Sequence, residues 1–186
     1  SGLEANGVKA TAIPAGISGH KSNQMLARLK KDVLDKKPDW MTLSCGVNDV
    51  WHGARGVPLE DYKKNITQIV EQCQAANVKV VILTATMIGE DDQNLNNRKL
   101  AGYNDFLRSL AREKKCLMAD LYQDMQMIVH KAEDKKKGHL LTTDGVHMNA
   151  EGNKMMATGV LKAFGLNDEQ IEKAKQAWAA PAPKTQ

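Results

Sequence analysis

The chain reads as one α/β domain: a mainly parallel sheet with helices on both faces. Three observations point there. Apolar bursts of strand length alternate with longer stretches of helical periodicity, the connections between them are short, and 186 residues are enough for a single well-buried core.

The elements follow in order. Val8 to Pro14 is a short strand candidate, and Asn23 to Leu34 sets Met25, Leu26, Leu29, Val33 and Leu34 on one helical stripe. Trp40 to Ser44 is the next strand, broken by Gly46. A Gly/Pro-rich loop then runs to Pro58, which suits the first turn of the following helix. That helix, Leu59 to Ala76, carries Tyr62, Ile66, Ile69, Val70 and Cys73 at apolar spacing. Lys79 to Thr84 is the clearest buried strand. After a polar loop, Leu95 to Lys115 is a long helix with Leu100, Tyr103, Phe106, Leu107 and Leu110 inward. Cys116 to Asp120 is the last strand-like run, followed by helices over Leu121 to His130 and Ala150 to Phe164. A further amphipathic helix, Asn167 to Trp178, has Asn167 as its N-cap and Gln170 at the third position. The organisation expected is a domain over residues 1–166, a C-terminal helix over 167–180 and a flexible tail over 181–186.

Composition excludes several classes. The net charge of +4 comes from 26 basic residues scattered among 22 acidic ones. The one dense basic run, Lys135-Lys136-Lys137, reads as solvated surface. Two Phe, three Tyr and three Trp leave little for stacking bases, so nucleic acid is not the expected partner. Cys45, Cys73 and Cys116 form no CxxC or Cys/His ligand pattern, which argues against zinc; Cys45 and Cys116 lie where a free thiol serves as a small buried hydrophobe, and one disulfide plus an odd thiol stays open. No apolar stretch reaches the ~20 residues that span a bilayer, and the first residues are not a signal peptide. The expectation is a soluble protein, monomeric by default.

Two stretches carry chemistry. In Asp144-Gly145-Val146-His147-Met148-Asn149 the carboxylate can hold the Nδ1 proton of His147 and leave Nε2 free as a base. In Gly46-Val47-Asn48-Asp49, at the end of an apolar run, Asn48 can aim its amide N–H at a developing oxyanion, with Asp49 holding the loop. Each residue also has a plain structural use. His147 could pack a helix, Asp144-Gly145 suits a turn, Asn48-Asp49 suits an Asx turn, and Gly19 could serve backbone shape alone. Their joint placement in loops at the carboxyl ends of strands favours a shared pocket. Trp51, His52 and Arg55 follow Asn48 and divide between packing and substrate contact, with Trp51 and His52 taken as substrate-binding candidates. His20, His130 and His139 read as structural or exposed.

With these residues in hand, the chain resembles the SGNH, or GDSL-type, hydrolases, particularly their thioesterase, lysophospholipase and acetylesterase members. The resemblance runs from about Ile13 to Leu166 through Gly16-Ile17-Ser18-Gly19-His20-Lys21-Ser22, Gly46 to Asp49, and Asp144 to Asn149. It implies a three-layer αβα sandwich on a flavodoxin-like sheet. It assigns Gly19 and Asn48 to the oxyanion hole, His147 to the general base and Asp144 to its partner. It also implies serine-type hydrolysis of short acyl or acetyl esters through an acyl-enzyme, with no cofactor or metal. The family's first block, a Gly-Asp-Ser ending the first strand, is not present, so the first strand and its nucleophile are expected upstream, together with any export signal. Ser1 lacks a preceding strand to hold it. Ser18 adjoins the oxyanion glycine, Ser22 reads as a helix N-cap and Ser44 as part of a buried strand. Two other readings stand beside this one: a catalytically incomplete module that binds an ester-bearing glycan or lipid, and a metal-assisted hydrolase using Asp144, His147 and His52. The polar stretch from Gly89 to Asn97 is unlike an apolar lid and favours a short acyl group on a small-molecule ester, an acetylated carbohydrate or a lipid.

Overall fold

The computed structural model describes residues 2–132 and 140–179. Ser1, Lys135 to Lys137, His139 and the tail over 181–186 lie outside the described residues.

The sheet holds β1 (Trp40–Ser44), β2 (Lys79–Leu83) and β3 (Leu117–Ala119), all parallel, in the order β1-β2-β3. Trp40 to Ser44 stand against Lys79 to Leu83 in register, and Val81 to Leu83 stand against Leu117 to Ala119. Parallel neighbours need crossovers, which α3 (Leu59–Ala75) and α4 (Leu95–Glu113) supply. Alternation along the central strand divides the interior in two. Val80 and Ile82 join the core under α1 (Ser22–Asp32), α3 and α4, whereas Val81 and Leu83 join the core under α5 (Leu121–Lys131) and α6 (Ala150–Ala163). This is the layered α/β arrangement expected. A third apolar cluster seats α7 (Asp168–Ala179) on α6 through Leu161, Ile171 and Ala174.

Most elements fall within a residue or two of their sequence-based bounds. The cap at Asn167 forms as expected, with its Oδ1 accepting from Gln170 N–H and the Gln170 side chain accepting in return, both at 2.9 Å.

Four expectations need correction. Residues Val8 to Pro14 form no strand: an extended run becomes one only when a neighbouring strand takes up its peptide groups, and among the described residues none does, the bond from Val8 N–H to the Leu3 carbonyl being a local turn. Val8 and Ile13 are accordingly about half exposed, at 49% and 45%. The loop expected between Gly46 and Pro58 contains a short helix, α2 (Val47–Trp51), and a 3-10 turn, Gly53–Arg55. Ser22 is the first residue of α1 and not its cap, which is Lys21. Ser44 is exposed although it ends a strand. All three cysteines are free, Cys45 and Cys73 buried and Cys116 partly so.

The start of α6 packs against the segment that leads into the Asp144 loop. A Cβ added at Gly152 would lie 2.1 Å from the carbonyl oxygen of Leu141 and 2.7 Å from Met148 Sδ. Gly152→Ala therefore forces helix and loop apart. The expected loss is about 1–3 kcal/mol, read as a lower urea midpoint; an unchanged midpoint would mean that the contact yields freely.

Candidate active site

Residues 16–20, the turn that follows β1 and the loop at 146–147 meet around a cleft of about 270 Å³. Gly19, Asn48 and His147 all line it, as the sequence reading requires of a shared pocket.

The His147 loop is organised by Asp144. Its Oδ1 accepts from the backbone N–H of Val146 at 3.0 Å and of His147 at 2.8 Å, and its Oδ2 lies 2.7 Å from His147 Nδ1. These bonds, those of the backbone and of the imidazole, hold the Asp144 carboxyl down at about 2. With Nδ1 engaged by a carboxylate, the proton sits there and Nε2 keeps its lone pair. Both side chains are well exposed, 62% for His147 and 50% for Asp144. Asn149 then caps α6, its Oδ1 accepting from the N–H groups of Glu151 and Gly152.

The Asn48 turn is built from beneath. Asp49 is fully buried and joins two loops, accepting from Ser22 N–H at 3.0 Å, Ser22 Oγ at 2.6 Å and Cys45 Sγ at 3.3 Å. Tyr62 Oη donates to the Cys45 carbonyl and Tyr103 Oη to that of Val57. Burial first, and the Asp49 charge second, push the Cys45 thiol well above its ordinary value. On this base α2 carries Asn48, whose Nδ2 lies 3.3 Å from the His20 carbonyl oxygen. Asp49 therefore holds the loop, as expected from sequence.

Gly19 has φ +77 with open space where a Cβ would stand, so backbone conformation and not crowding asks for glycine. No acceptor among the described residues takes its N–H. Trp51 and His52 stand outside the cleft lining. The Trp51 indole is 42% exposed and meets the His147 ring edge-on at 6.4 Å between centroids. Arg55 is exposed.

Sequence reasoning missed two lining residues, His20 and Arg28. Arg28 donates to His20 Nδ1 at 3.2 Å, to the Ala15 carbonyl at 2.5 Å and to Asp32 at 3.0 Å, which clamps the segment that bears Gly19. An Arg one helical turn before an Asp was the available signal. Ser18 and Ser44 also line the cleft. Among the described residues no three His, Cys, Asp or Glu side chains gather to hold a metal ion, and no helix is long and apolar enough to cross a membrane.

Residues 2–155 match the GDSL-like Lipase/Acylhydrolase family. The chain belongs to that family. Curated relatives include esterases and a thioesterase/lysophospholipase. An acetylxylan esterase of Geobacillus stearothermophilus is 25% identical over 157 residues, covering 81% of this chain and 70% of its own. The thioesterase 1/protease 1/lysophospholipase L1 of Escherichia coli K12 is 24% identical over 154 residues, covering 83% and 67%. Among solved structures, the acetyl xylan esterase AlAXEase superposes with a TM-score of 0.82 at 32% identity, over 87% of this chain and 85% of that one. The GDSL-like fold and ester-hydrolase class expected from sequence thus agree with relatives found independently.

Proposed function

We propose that this GDSL-like protein is a serine-type hydrolase of short acyl or acetyl esters, with His147 as general base, Asp144 as its orienting partner, and the Gly19 N–H and Asn48 amide as oxyanion donors. The observation that carries the reading is the 2.7 Å pairing of Asp144 with His147 on the rim of a cleft that Gly19 and Asn48 also line. In the first half-reaction Nε2 takes the serine proton as the alkoxide attacks the ester carbonyl; the imidazolium then protonates the leaving alcohol. In the second half the neutral imidazole takes a proton from water as its oxygen attacks the acyl-enzyme carbonyl, and gives it back to the serine Oγ as the acyl–oxygen bond breaks and the acid leaves. The two N–H donors meet the negative charge that develops on the carbonyl oxygen.

The nucleophile is placed on a Gly-Asp-Ser turn outside these 186 residues, since that string does not occur within them. β1 suits such an addition: among the described residues it pairs with β2 alone, and Thr42 and Ser44 are exposed. The substrate we favour is an acetylated carbohydrate. Support comes from the likeness to acetylxylan esterases and from the exposed Trp51 indole beside His147, a flat apolar surface on which a sugar ring can lie.

The deciding experiment is p-nitrophenyl acetate hydrolysis by the 186-residue chain and by a form preceded by its upstream gene sequence, each with a His147→Ala control. Activity of the longer form alone, abolished by His147→Ala, supports the reading. His147-dependent activity in the shorter chain would transfer the nucleophile to a serine within it. Binding of acetylated xylo-oligosaccharide without turnover in either form would favour the binding-module alternative. In the active form Asn48→Ala is expected to reduce turnover ~10²–10³-fold without loss of folding; parent-like rates would sink the oxyanion assignment.

A further inference from the structure

Glu90 lies in the polar stretch between β2 and α4, yet it is 5% exposed. Among the described residues no basic side chain pairs with it. Its carboxylate is satisfied by a segment fifty residues further on: Oε1 accepts from Leu141 N–H at 2.9 Å and Thr142 Oγ1 at 2.6 Å, and Oε2 accepts from Leu140 N–H at 3.0 Å. The backbone at Glu90 is left-handed, φ +49, a conformation that a side chain other than glycine's adopts at a cost. The preceding residue makes a second attachment. Gly89 N–H donates to the Gly145 carbonyl at 2.7 Å, and the two glycines are so close that a Cβ at Gly145 would lie 3.2 Å from Gly89 Cα. Thr142 Oγ1 links the two attachments by accepting from Gly145 N–H at 3.1 Å.

Residues 89–90 therefore grip the chain at 140–142 and again at 145, on either side of Asp144. Among the described residues the side chain of Asp144 bonds to Val146 and His147, its own neighbours, and both members of the pair are largely exposed. Those bonds form inside a turn whose two ends are pinned by residues 89–90, so release of the pins lets the turn deform and the pair come apart as well as shift at the cleft.

We propose that Glu90 is a positioning residue whose buried carboxylate anchors the 140–142 segment and thereby sets where the Asp144–His147 pair stands at the cleft. A buried carboxylate with three charge-assisted bonds is a stiff tether, and catalytic pairs lose rate steeply when displaced by an ångström. The proposal rests on reading that pair as the working base and its partner.

Glu90→Gln tests it, because the amide nitrogen can only donate where Leu140 N–H or Leu141 N–H and Thr142 Oγ1 now donate. Nitrogen-15 spectra of labelled histidine in the 186-residue chain are expected to show His147 protonated at Nδ1 in the parent and exchanging between tautomers in the variant. The Asp144 titration should rise from about 2 toward the ordinary carboxylate range. In the active enzyme kcat should fall ~10²-fold with KM little changed. Thr142→Val should move the same readouts in the same direction, and Thr142→Ser should restore them. A folded Glu90→Gln protein with unaltered tautomer and Asp144 titration overturns the proposal. If Glu90→Gln does not fold, the Thr142→Val and Thr142→Ser pair decides on the same criteria. The spectra require no turnover, so this proposal can fail while His147 proves essential, and the hydrolase reading can fail while the tether proves real.

Discussion

In whichever form hydrolyses p-nitrophenyl acetate, His147→Ala should lower turnover by ~10⁴–10⁶-fold while leaving the fold intact. On the proposed mechanism the imidazole supplies proton transfer in both halves of the reaction, so its removal should halt acylation and deacylation alike. Because the side chain is 62% exposed and packs only edge-on against Trp51, its loss leaves no hole in the core. Thermal unfolding should therefore match the parent's while p-nitrophenyl acetate turnover collapses. Retention of even a hundredth of the parent rate would exclude His147 as the general base.

Asp144→Asn should cost about 10⁴ in kcat. Asparagine can still accept the Val146 and His147 N–H groups through Oδ1, so the turn survives. The atom facing His147 Nδ1 becomes a donor, however, and the imidazole must present its lone pair there and carry its proton on Nε2, where the base is needed. The Asp144 carboxyl stays ionised until about pH 2. Its depressed value also means that the stabilisation from the pair is complete above the ordinary carboxylate range and fades as pH drops through about 2. Asp144→Asn removes that acid-side loss of stability. Rates within tenfold of the parent would show that the carboxylate does not set the tautomer.

Much of this architecture could be read from local pattern. The run Lys79 to Leu83 is apolar enough to declare a buried strand without context, and the faces of α3 and α4 follow from spacing alone. Asp144, His147, Asn48 and Gly19 stood out as candidates because each lies in a short motif of turn-forming residues, and the fold brings Gly19, Asn48 and His147 to one cleft. The failures share a cause, which is that tertiary contact decided the outcome. Gly46 to Pro58 has loop composition, yet burial of Asp49 and Val50 winds part of it into α2. Val8 to Pro14 has strand composition but no neighbour. Arg28 and His20 look like ordinary surface residues until the chain folds back at Ala15. Glu90 reads as one more solvated acid in a polar loop, because the groups that bury it lie at residues 140–142.

Cys45 stands immediately before the Asn48 turn, with its thiol enclosed and its ionisation suppressed by burial and by Asp49. Thiolate is the reactive form, so alkylating reagents have almost nothing to attack while the turn is closed. Modification of this sulfur must wait for the segment between β1 and α2 to separate from Asp49 and Tyr62. The pace of its alkylation is thus a clock for how often Asn48 is released from its seat, and the protein carries its own reporter of breathing beside the cleft.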